Sequence, residues 1–473
     1  MGVVLVCAVV AALVTIDARA QTGLVLDETG ATARSGAMGQ AFTGIADDSA
    51  AAYYNPAGLA FDGASETILG FRYMEADTFI DFAGPPQPSP YPPPPQDPTD
   101  PGVPPVLVTT DTEWNPPVTT GLVVGVSGHF APPSLVEDFP WLDRLHYGVI
   151  LNLGISSQNT FHTYQDYSQP YFFRYDTRPD LLSAVATIAY RPWDWISFGG
   201  GVIPNVNAYQ SNTAKVRLNA PADDPNHGFD IAIKVHSVME FSPVGGIMLR
   251  IPVPEMPDDF LQLGFSYRGQ VGNFFGTGPA YTVLGEGTPD GGFDPQTQLP
   301  DGLIVNYAGY APSQWSFGLG LRPNDRFTFG ADLVYKEFYS FKVFIHRTPN
   351  PPFENTLVPR FGVEYKMPVA TEVPVLDLLE RVDWRAGYYY EPTPNPSLNG
   401  VQNILDCDQH VASGGVGLNF APIAEEARLR VDLYGQFHQL VDRFTMNEGD
   451  LRRGPYTAGG SVFSLGLEVR VDW

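Results

Sequence analysis

The chain has 473 residues, of which 48 are Gly, 45 are Pro and only 17% are charged. Its formal net charge of -25 excludes nucleic-acid binding, because the sequence offers no cluster of Lys and Arg that could neutralise phosphates. The length exceeds one ordinary globular core. The aromatic, glycine-rich and charge-poor composition is typical of an all-β protein, and a large barrel can absorb several hundred residues.

The N-terminus has the features of a targeting segment. Val3 to Ile16 is almost unbroken apolar sequence, too short to span a bilayer comfortably, and Ala18-Arg19-Ala20 forms an A-x-A cleavage pattern. No Lys or Arg precedes Arg19, which departs from the usual basic start of such a leader. We predict a signal peptide over residues 1–20. Because no later stretch of about 18 apolar residues exists, we also expect an exported protein without a transmembrane helix.

Residues 21–64 do not have a strand pattern. Small residues dominate this stretch, and they allow the backbone to pack closely inside a confined space. The run Tyr54-Asn55-Pro56-Ala57-Gly58-Leu59 has turn chemistry, because Pro fixes φ and Gly permits a positive φ. This stretch is therefore predicted to be a unit of its own that precedes the sheet.

From residue 65 onward, apolar and polar residues alternate as in transmembrane strands. The last segment shows this best: Phe463, Leu465, Leu467, Val469, Val471 and Trp473 alternate with Ser464, Gly466, Glu468, Arg470 and Asp472. Similar segments lie near residues 147–155, 261–270, 315–321, 327–336, 382–388 and 429–437. A sandwich core would not accept whole charges without partners, whereas a barrel lumen would. We predict a transmembrane antiparallel β-barrel of about 14 strands over residues 65–473.

The predicted connections alternate in length, as outer-membrane barrels require. Short turns are predicted at Pro192-Trp193-Asp194 and at Pro323-Asn324-Asp325. The predicted long loops are 83–116, 275–311, 345–357 and 392–409. Residues 85–105 contain Pro92-Pro93-Pro94-Pro95, which cannot join a sheet ladder. We interpret this run as an extended spacer, with protein recognition as the alternative.

No catalytic, metal or cofactor site is predicted. Cys7 lies in the leader, so the mature chain keeps Cys407 alone, without an intrachain disulfide or a cysteine-based metal site. The eight histidines show no ligand spacing. Gly199-Gly200-Gly201 lies in a strand pattern without a phosphate-loop context, and His438, on the lumen face with Asp432, lacks a nucleophile. We therefore expect a protein that is not an enzyme.

Several motifs resemble a known family. Ala46-Asp47-Asp48-Ser49 and the Tyr54–Leu59 run are similar to the N-terminal hatch of the FadL/TodX family of outer-membrane transporters for long-chain fatty acids and other hydrophobic compounds. Leu263-Gly264-Phe265-Ser266-Tyr267-Arg268 and Trp384-Arg385-Ala386-Gly387-Tyr388 resemble two of its strands. Leu405 and Gln409 depart from the Pro and Arg of its Pro-Asp-x-Asp-Arg loop.

The resemblance implies a fourteen-stranded barrel plugged by a hatch over residues 21–64. It also implies an internal apolar binding pocket and a lateral exit through the wall. The residues implied for the hatch are Gly36, Gly39, Phe42, Asn55, Pro56, Ala57 and Gly58. Asn55, Pro56 and Gly58 are expected to fix the turn that joins the hatch to the first strand, and Phe42 is a candidate for ligand contact.

Charged residues on the predicted lumen face allow two interpretations. They are Arg268, Lys336, Arg360, Arg385, Arg430, Asp332, Glu364, Asp383, Asp432, Glu468, Arg470 and Asp472. In the first interpretation these charges neutralise one another inside the barrel. In the second, Arg268, Lys336 or Arg385 binds a substrate carboxylate through a charge-assisted contact.

We predict a monomeric channel in the outer membrane of a Gram-negative cell, in contact with membrane lipid and lipopolysaccharide. It would take up long-chain fatty acids, aromatic hydrocarbons or similar hydrophobic molecules by binding and diffusion, without a cofactor. Two alternatives stay open: a structural or interaction barrel of a surface or secretion apparatus, and an outer-membrane lipid hydrolase. Uptake assays, co-purification of a stable partner and lipid-hydrolysis assays separate these alternatives.

Overall fold

The computed structural model describes residues 24–61, 65–82, 113–114, 118–131, 133–155, 171–172, 174–175, 183–217, 228–270, 302–304, 311–341, 351–369, 378–396, 404–422, 427–446 and 455–473. The predicted leader at 1–20 and the Pro-rich run at 85–105 lie outside the described residues, as does most of the predicted loops at 83–116 and 275–311.

Fourteen long strands of the described chain form one closed antiparallel sheet, which confirms the predicted barrel. They are β1 (Glu66–Phe82), β2 (Thr119–His129), β3 (Leu145–Gly154), β4 (Ser183–Trp193), β5 (Ile196–Arg217), β6 (Gly228–Ile251), β7 (Leu261–Arg268), β8 (Ser313–Asn324), β9 (Phe327–Glu337), β10 (Thr356–Pro368), β11 (Leu379–Glu391), β12 (Gln409–Phe420), β13 (Arg428–Thr445) and β14 (Tyr456–Asp472). Each strand pairs with the next along the chain, and β14 returns to pair with β1. Closure leaves these strands without a free sheet edge.

Alternation along each strand separates an apolar outer face from a polar inner face. In β14, Leu465 and Leu467 point outward and are exposed, whereas Ser464 and Glu468, on either side of this pair, point inward and are buried. Exposed apolar residues of this kind recur around the wall: Leu69, Phe71, Ile188, Phe198, Phe317, Phe329, Phe361, Leu433, Phe437 and Phe463. An exposed apolar band of this extent is unfavourable in water and favourable against lipid.

One rim of the barrel carries the shortest connections and a set of tryptophans. At this rim β1 begins and β14 ends, and two-residue turns join β4 to β5 and β8 to β9. The turns lie later than the sequence predicts, because pairing continues to Trp193 and Asn324. Pro192 and Pro323 lie in the register shifts just before these pairs, since Pro lacks the N–H that a regular ladder needs. Trp193, Trp195 and Trp473 are exposed here, as at a membrane interface.

The opposite rim carries short additional strands. Glu113–Trp114 pairs with β1, and Gly302–Ile304 pairs with β5. Tyr171–Phe172 and Ile404–Leu405 form a separate parallel pair. The long connections of the barrel therefore leave from this rim, as outer-membrane barrels place their external loops.

The described chain before the barrel, residues 24–61, contains short helices. They are α1 (Leu24–Thr29), α2 (Ala33–Ala37), α3 (Ala51–Tyr54) and a 3-10 helix over Pro56–Ala60. Another α-helix, α4 (Pro133–Asp138), and a 3-10 helix (Pro140–Arg144) connect β2 to β3, and Phe338–Ser340 follows β9 as a 3-10 turn. None of the helices in the described ranges is long and apolar enough to cross a membrane.

The apolar core of the protein lies inside the barrel. Leu26, Met38 and Phe42 of the N-terminal chain pack in one cluster with inward residues of the wall, among them Ile68 and Met248. The barrel therefore encloses packed protein at this level, and the sheet together with the enclosed chain forms one hydrophobic unit.

Candidate functional site

Residues 24–61, here called the N-terminal segment, lie enclosed by the barrel wall. From Leu26 onward every residue is buried except Asp47, which is half-buried. Thr32 starts α2 as a capping residue, because its hydroxyl accepts a hydrogen bond from the Ser35 N–H. The small residues of the sequence allow this segment to fold into short helical turns within the limited width of the barrel.

The backbone of the N-terminal segment lies directly against the wall where inward residues of the wall are glycine. A Cβ atom on Gly387 of β11 would lie 2.0 Å from the Gly39 nitrogen, and Gly39 itself adopts a φ of +61° that disfavours other residues. Equally close approaches to the segment occur at Gly199, Gly246, Gly264, Gly318, Gly330 and Gly362. At these glycines the segment is in direct contact with the wall.

The turn predicted around Asn55 contacts the barrel wall at β5 and β6. The Asn55 amide donates to the carbonyl oxygens of Thr43 (3.0 Å) and Ile247 (3.2 Å), and its Oδ1 accepts from the Ala57 N–H (3.3 Å). Pro56 begins the 3-10 helix, and the Ala57 carbonyl accepts from the Ser197 hydroxyl at 2.7 Å. The sequence predicts the turn, but the contacts with the wall could not be predicted from it.

The remaining candidate residues of the segment are also buried. Gly58 lies against the Ala46 carbonyl, where a Cβ would be only 2.0 Å away. Gly36 packs against Tyr434 of β13, and its carbonyl accepts from the Gln436 amide at 2.9 Å. Phe42 is fully buried, with its ring 5.7 Å from that of Tyr54. Its contacts in this structure are therefore with the protein itself.

Arg34 forms the centre of an ion-pair network between the segment and the wall. Its guanidinium donates two bonds of 2.9 Å to Glu364 of β10 and lies 2.5 Å from Asp47 and 3.2 Å from Asp48. Burial raises the pKa of Asp47, but Arg34 and Arg322 outweigh it and hold this pKa well below its usual range. The Arg34–Glu364 pair thus holds the segment to the wall.

Arg470 of β14 forms a second network beside the first. Its guanidinium contacts Asp48 at 3.1 Å, Glu66 at 3.0 Å and Glu468 at 3.1 Å. Glu468 also accepts from the Ala33 N–H at the start of α2, at 2.9 Å. Asp48 is shared between Arg34 and Arg470, so the two networks are continuous.

The three cations considered for a substrate carboxylate each have a carboxylate partner within the protein. Arg268 of β7 pairs with Asp27 of α1. Lys336 of β9 lies 2.5 Å from Glu391. Arg385 of β11 pairs with Asp432 and, at 2.8 Å, with Glu364. Their positions on the lumen face agree with the strand pattern, whereas their partners lie on other strands or on α1.

Two acidic residues of α1, Asp27 and Glu28, hold this helix across the lumen. Neither was identified in the sequence analysis. Asp27 accepts from Gln314 of β8 (2.9 Å) and from Tyr53 (2.8 Å), besides its pairing with Arg268. Glu28 lies 3.8 Å from His438 of β13. The helix therefore lies between β7–β8 on one side and β13 on the other. No periodic signal marks Asp27 or Glu28, because they lie outside the strands.

The Asp27 contact predicts a loss of stability in acid. Burial raises the Asp27 pKa, but Arg268 and Lys336 outweigh it and lower the pKa from 3.8 to about 2. Since the folded pKa is the lower one, this stabilisation is complete above about pH 4 and is lost as the pH falls through 2. We expect a loss of roughly 2 kcal/mol in the free energy of unfolding across that interval.

Thermal unfolding between pH 2 and pH 7 checks this expectation. Asp27→Asn should remove the corresponding part of the pH dependence, whereas Asp194→Asn, in the exposed turn between β4 and β5, should leave it unchanged. Identical pH profiles for the wild type and Asp27→Asn would contradict the assignment.

A groove of ≈ 760 Å³ lies on the outer face of β3, β4 and β5. Tyr147, Ile188, Tyr190 and Phe198 line it, together with Gly199-Gly200-Gly201. On the lumen side of Gly199, a Cβ would meet the backbone of Pro56 at 2.3 Å. At this point the wall is only one backbone thick between the groove and the N-terminal segment.

The structure gives the surroundings of the residues that the sequence analysis considered for catalysis and metal binding. His438 lies near Gln409, Gln436 and Glu28, whereas Asp432 pairs with Arg385. Within the described ranges, no group of three or more His, Cys, Asp or Glu side chains could hold a metal ion. Cys407 is buried, and burial raises the pKa of its thiol to about 12.

A closed barrel with an apolar outer band and an ion-paired interior has the structure of a membrane-spanning β-barrel. The family model described as outer membrane protein transport protein (OMPP1/FadL/TodX) matches residues 11–458. The chain belongs to this family of outer-membrane transport proteins, which confirms the resemblance found in its motifs.

Solved structures with the same fold cover nearly the whole chain. A Pseudomonas aeruginosa FadL homologue is 18% identical, with 94% of this chain and 98% of that chain covered and a TM-score of 0.55. The deltaS2 mutant of the TodX monoaromatic hydrocarbon channel is 14% identical, with coverage of 94% and 99% and a TM-score of 0.50. At these identities the likeness shows the fold. No curated protein sequence matches the chain.

Proposed function

We propose that the protein is a channel of the Gram-negative outer membrane that takes up long-chain fatty acids or other hydrophobic small molecules. In this proposal the N-terminal segment is the hatch that plugs the barrel. The observation that carries the proposal is the burial of this segment from Leu26 to Phe61 against the inner wall. A barrel filled in this way is unsuited to the bulk flow of water and polar solutes.

Hydrophobic substrates fit this architecture for an energetic reason. The transfer of each CH₂ group from water to an apolar environment is favourable by about 0.8 kcal/mol. A water-filled pore is therefore a poor path for an acyl chain. The groove on β3–β5 offers an apolar surface next to lipid, with Pro56 of the segment directly behind Gly199. We infer that substrate leaves the barrel laterally at this thin part of the wall. Monoaromatic hydrocarbons, named for the TodX channel, belong to the same substrate range in this proposal.

Uptake by whole cells tests the proposal. Cells that carry the wild-type gene should accumulate labelled oleate or labelled toluene faster than cells without it. Gly200→Phe should reduce uptake severalfold, because Gly200 lines the groove and a Cβ there meets nothing closer than 3.5 Å, so the ring would fill the groove without disturbing the sheet. Gly414→Phe is the matched control, since its Cβ would also be free, with the nearest atom at 3.6 Å, and it lies far from the groove.

The outcomes of this experiment separate function from route. Equal accumulation of every hydrophobic probe with and without the gene would refute the transport function. Normal uptake by Gly200→Phe would refute the groove as the exit and leave the transport function standing.

A further inference from the structure

Residues 130–144, here called the β2–β3 connection, differ from the turns beside them at the same rim. Two-residue turns join β4 to β5 and β8 to β9, whereas this connection forms α4 and a 3-10 helix. It carries four large apolar side chains that are exposed, and they are Phe130 (50%), Leu135 (45%), Phe139 (50%) and Trp141 (54%). Large apolar side chains exposed together on one short segment indicate an interaction surface.

The apolar side chains of α4 and of the residue that follows it lie on one side. The Phe139 N–H donates to the Leu135 carbonyl at 2.9 Å, so the helical turn continues to Phe139 and the two side chains are neighbours on the same face. Glu137 is two residues from each of them, which places it on the opposite side of the turn, where it is exposed. The connection therefore has an apolar face and a polar face.

The connection is fixed beside the exposed tryptophans of this rim. The Phe130 N–H donates to the Leu145 carbonyl at 2.9 Å and thereby extends the pairing of β2 with β3. The 3-10 helix packs against β3 and β4, and the Arg144 guanidinium donates to the Pro192 carbonyl. Pro192 directly precedes Trp193, whose ring stacks on the other tryptophan of the β4–β5 turn with 6.1 Å between the ring centres. The apolar face thus lies at the level of an aromatic belt.

Phe130 makes this apolar face continuous with the outer surface of the barrel. Its side chain lines the groove on β3–β5 together with Tyr147 and Ile188, whose outward side chains belong to the apolar band of the wall. A surface that continues the lipid-facing band at the rim is suited to the same environment, the membrane and its interface with water.

The charge of the connection indicates the kind of lipid that it meets. Its three acidic residues are Glu137, Asp138 and Asp143, and its one basic residue is Arg144, so its net charge is -3 + 1 = -2. Arg144 is directed to a backbone carbonyl. Without a basic cluster, electrostatic attraction to anionic lipid is excluded, and insertion depends on the apolar and aromatic side chains alone. Zwitterionic phospholipid is the surface that fits this composition.

We propose that the β2–β3 connection is an interfacial anchor in the periplasmic leaflet of the membrane. Leu135, Phe139 and Trp141 insert among zwitterionic phospholipids, and Glu137 stays on the water side. The rim is periplasmic because the long connections of the barrel leave from the opposite rim. The anchor holds the membrane interface at this part of the wall, and it does so whichever compound the barrel transports.

Fluorescence quenching in vesicles tests the anchor. Leu135→Cys, in the full mature protein with Cys407→Ala, is labelled with a fluorophore and reconstituted in phosphatidylcholine that carries bromine near the headgroup end of its acyl chains. Relative to unbrominated vesicles, the label should be quenched severalfold more strongly than the same label on Glu137→Cys, the matched control on the opposite side of α4. Adding Phe139→Ser and Trp141→Ser should reduce the quenching at position 135 to the level of the control.

The two serine substitutions lie on exposed side chains, so the barrel should keep its heat-dependent mobility in gels. Strong quenching at position 135 with weak quenching at position 137 supports the anchor. Equal quenching at both positions, strong or weak, overturns it, as does quenching at position 135 that survives both serine substitutions. An unquenched label at position 135, together with photocrosslinking of this position to a periplasmic protein in cells, would also overturn it and show a protein partner instead. None of these outcomes affects the transport function.

Discussion

Replacing Gly387 with Ala is expected to displace the N-terminal segment from the wall and to make the barrel leak. The added Cβ would lie 2.0 Å from the Gly39 nitrogen and 2.2 Å from the Met38 carbonyl carbon, and neither backbone atom can rotate away. Overpacking of this kind costs about 1–3 kcal/mol, and the segment is the part that can move because the closed sheet is held by its ladders. Liposomes that contain the variant should swell faster in small sugars than those with the wild type.

Gly414→Ala provides the matched control on the neighbouring strand. Its Cβ would meet no atom closer than 3.6 Å, so swelling rates and thermal stability should stay at wild-type values. If liposomes with Gly387→Ala swell no faster than liposomes with Gly414→Ala, the glycine contacts do not hold the segment against the wall. A barrel that fails to form at all would show instead as the loss of the heat-dependent mobility shift in gels, which separates misfolding from leakage.

Removal of the Arg34 guanidinium is expected to cost about 3–5 kcal/mol in the free energy of unfolding. Arg34→Ala would leave Glu364 and Asp48 buried with one cation fewer, and the cost of an uncompensated buried charge exceeds the net strength of the pair. Urea titration of the protein in lipid vesicles measures the change. Arg34→Met combined with Glu364→Gln should recover part of the loss, because the charge and its partner are removed together.

Arg430, at the periphery of the barrel interior, serves as the comparison for the loss of stability expected from Arg34→Ala. Arg430 is half-buried, and its nearest carboxylate oxygen, on Asp472, is 3.9 Å away. Arg430→Ala should therefore cost less than about 1 kcal/mol. Equal losses for Arg34→Ala and Arg430→Ala would show that the central network contributes no more than an ordinary surface pair.

The face of each strand could be predicted from the sequence, because side chains alternate with a period of two. Leu433 and Phe437 outside and Asp432 and Gln436 inside follow directly from that pattern. The number of strands and the closed sheet follow from its repetition. The turns were less well defined, because Pro192 and Pro323 are turn residues that here lie in bulges before the turns.

The pairing of side chains across the lumen could not be predicted, because periodicity sets a face and says nothing about register or about the enclosed chain. Arg268 and Arg360 look alike in sequence, as single arginines on inward faces. One meets Asp27 of α1, and the other lies beside an Asp332 that is bound to backbone N–H groups. That difference follows from the relative positions of three strands and the N-terminal segment.

The central claim is that the apolar face of the strands meets lipid. Spin labels on single cysteines in a Cys407→Ala background, reconstituted in vesicles, test it by collision with oxygen, which dissolves in lipid, and with a nickel chelate, which stays in water. A label at Leu467, in the middle of β14, should collide with oxygen and be shielded from the chelate, whereas a label at Glu255, in the exposed turn before β7, should show the reverse. Free access of the chelate to the label at Leu467 would contradict the claim.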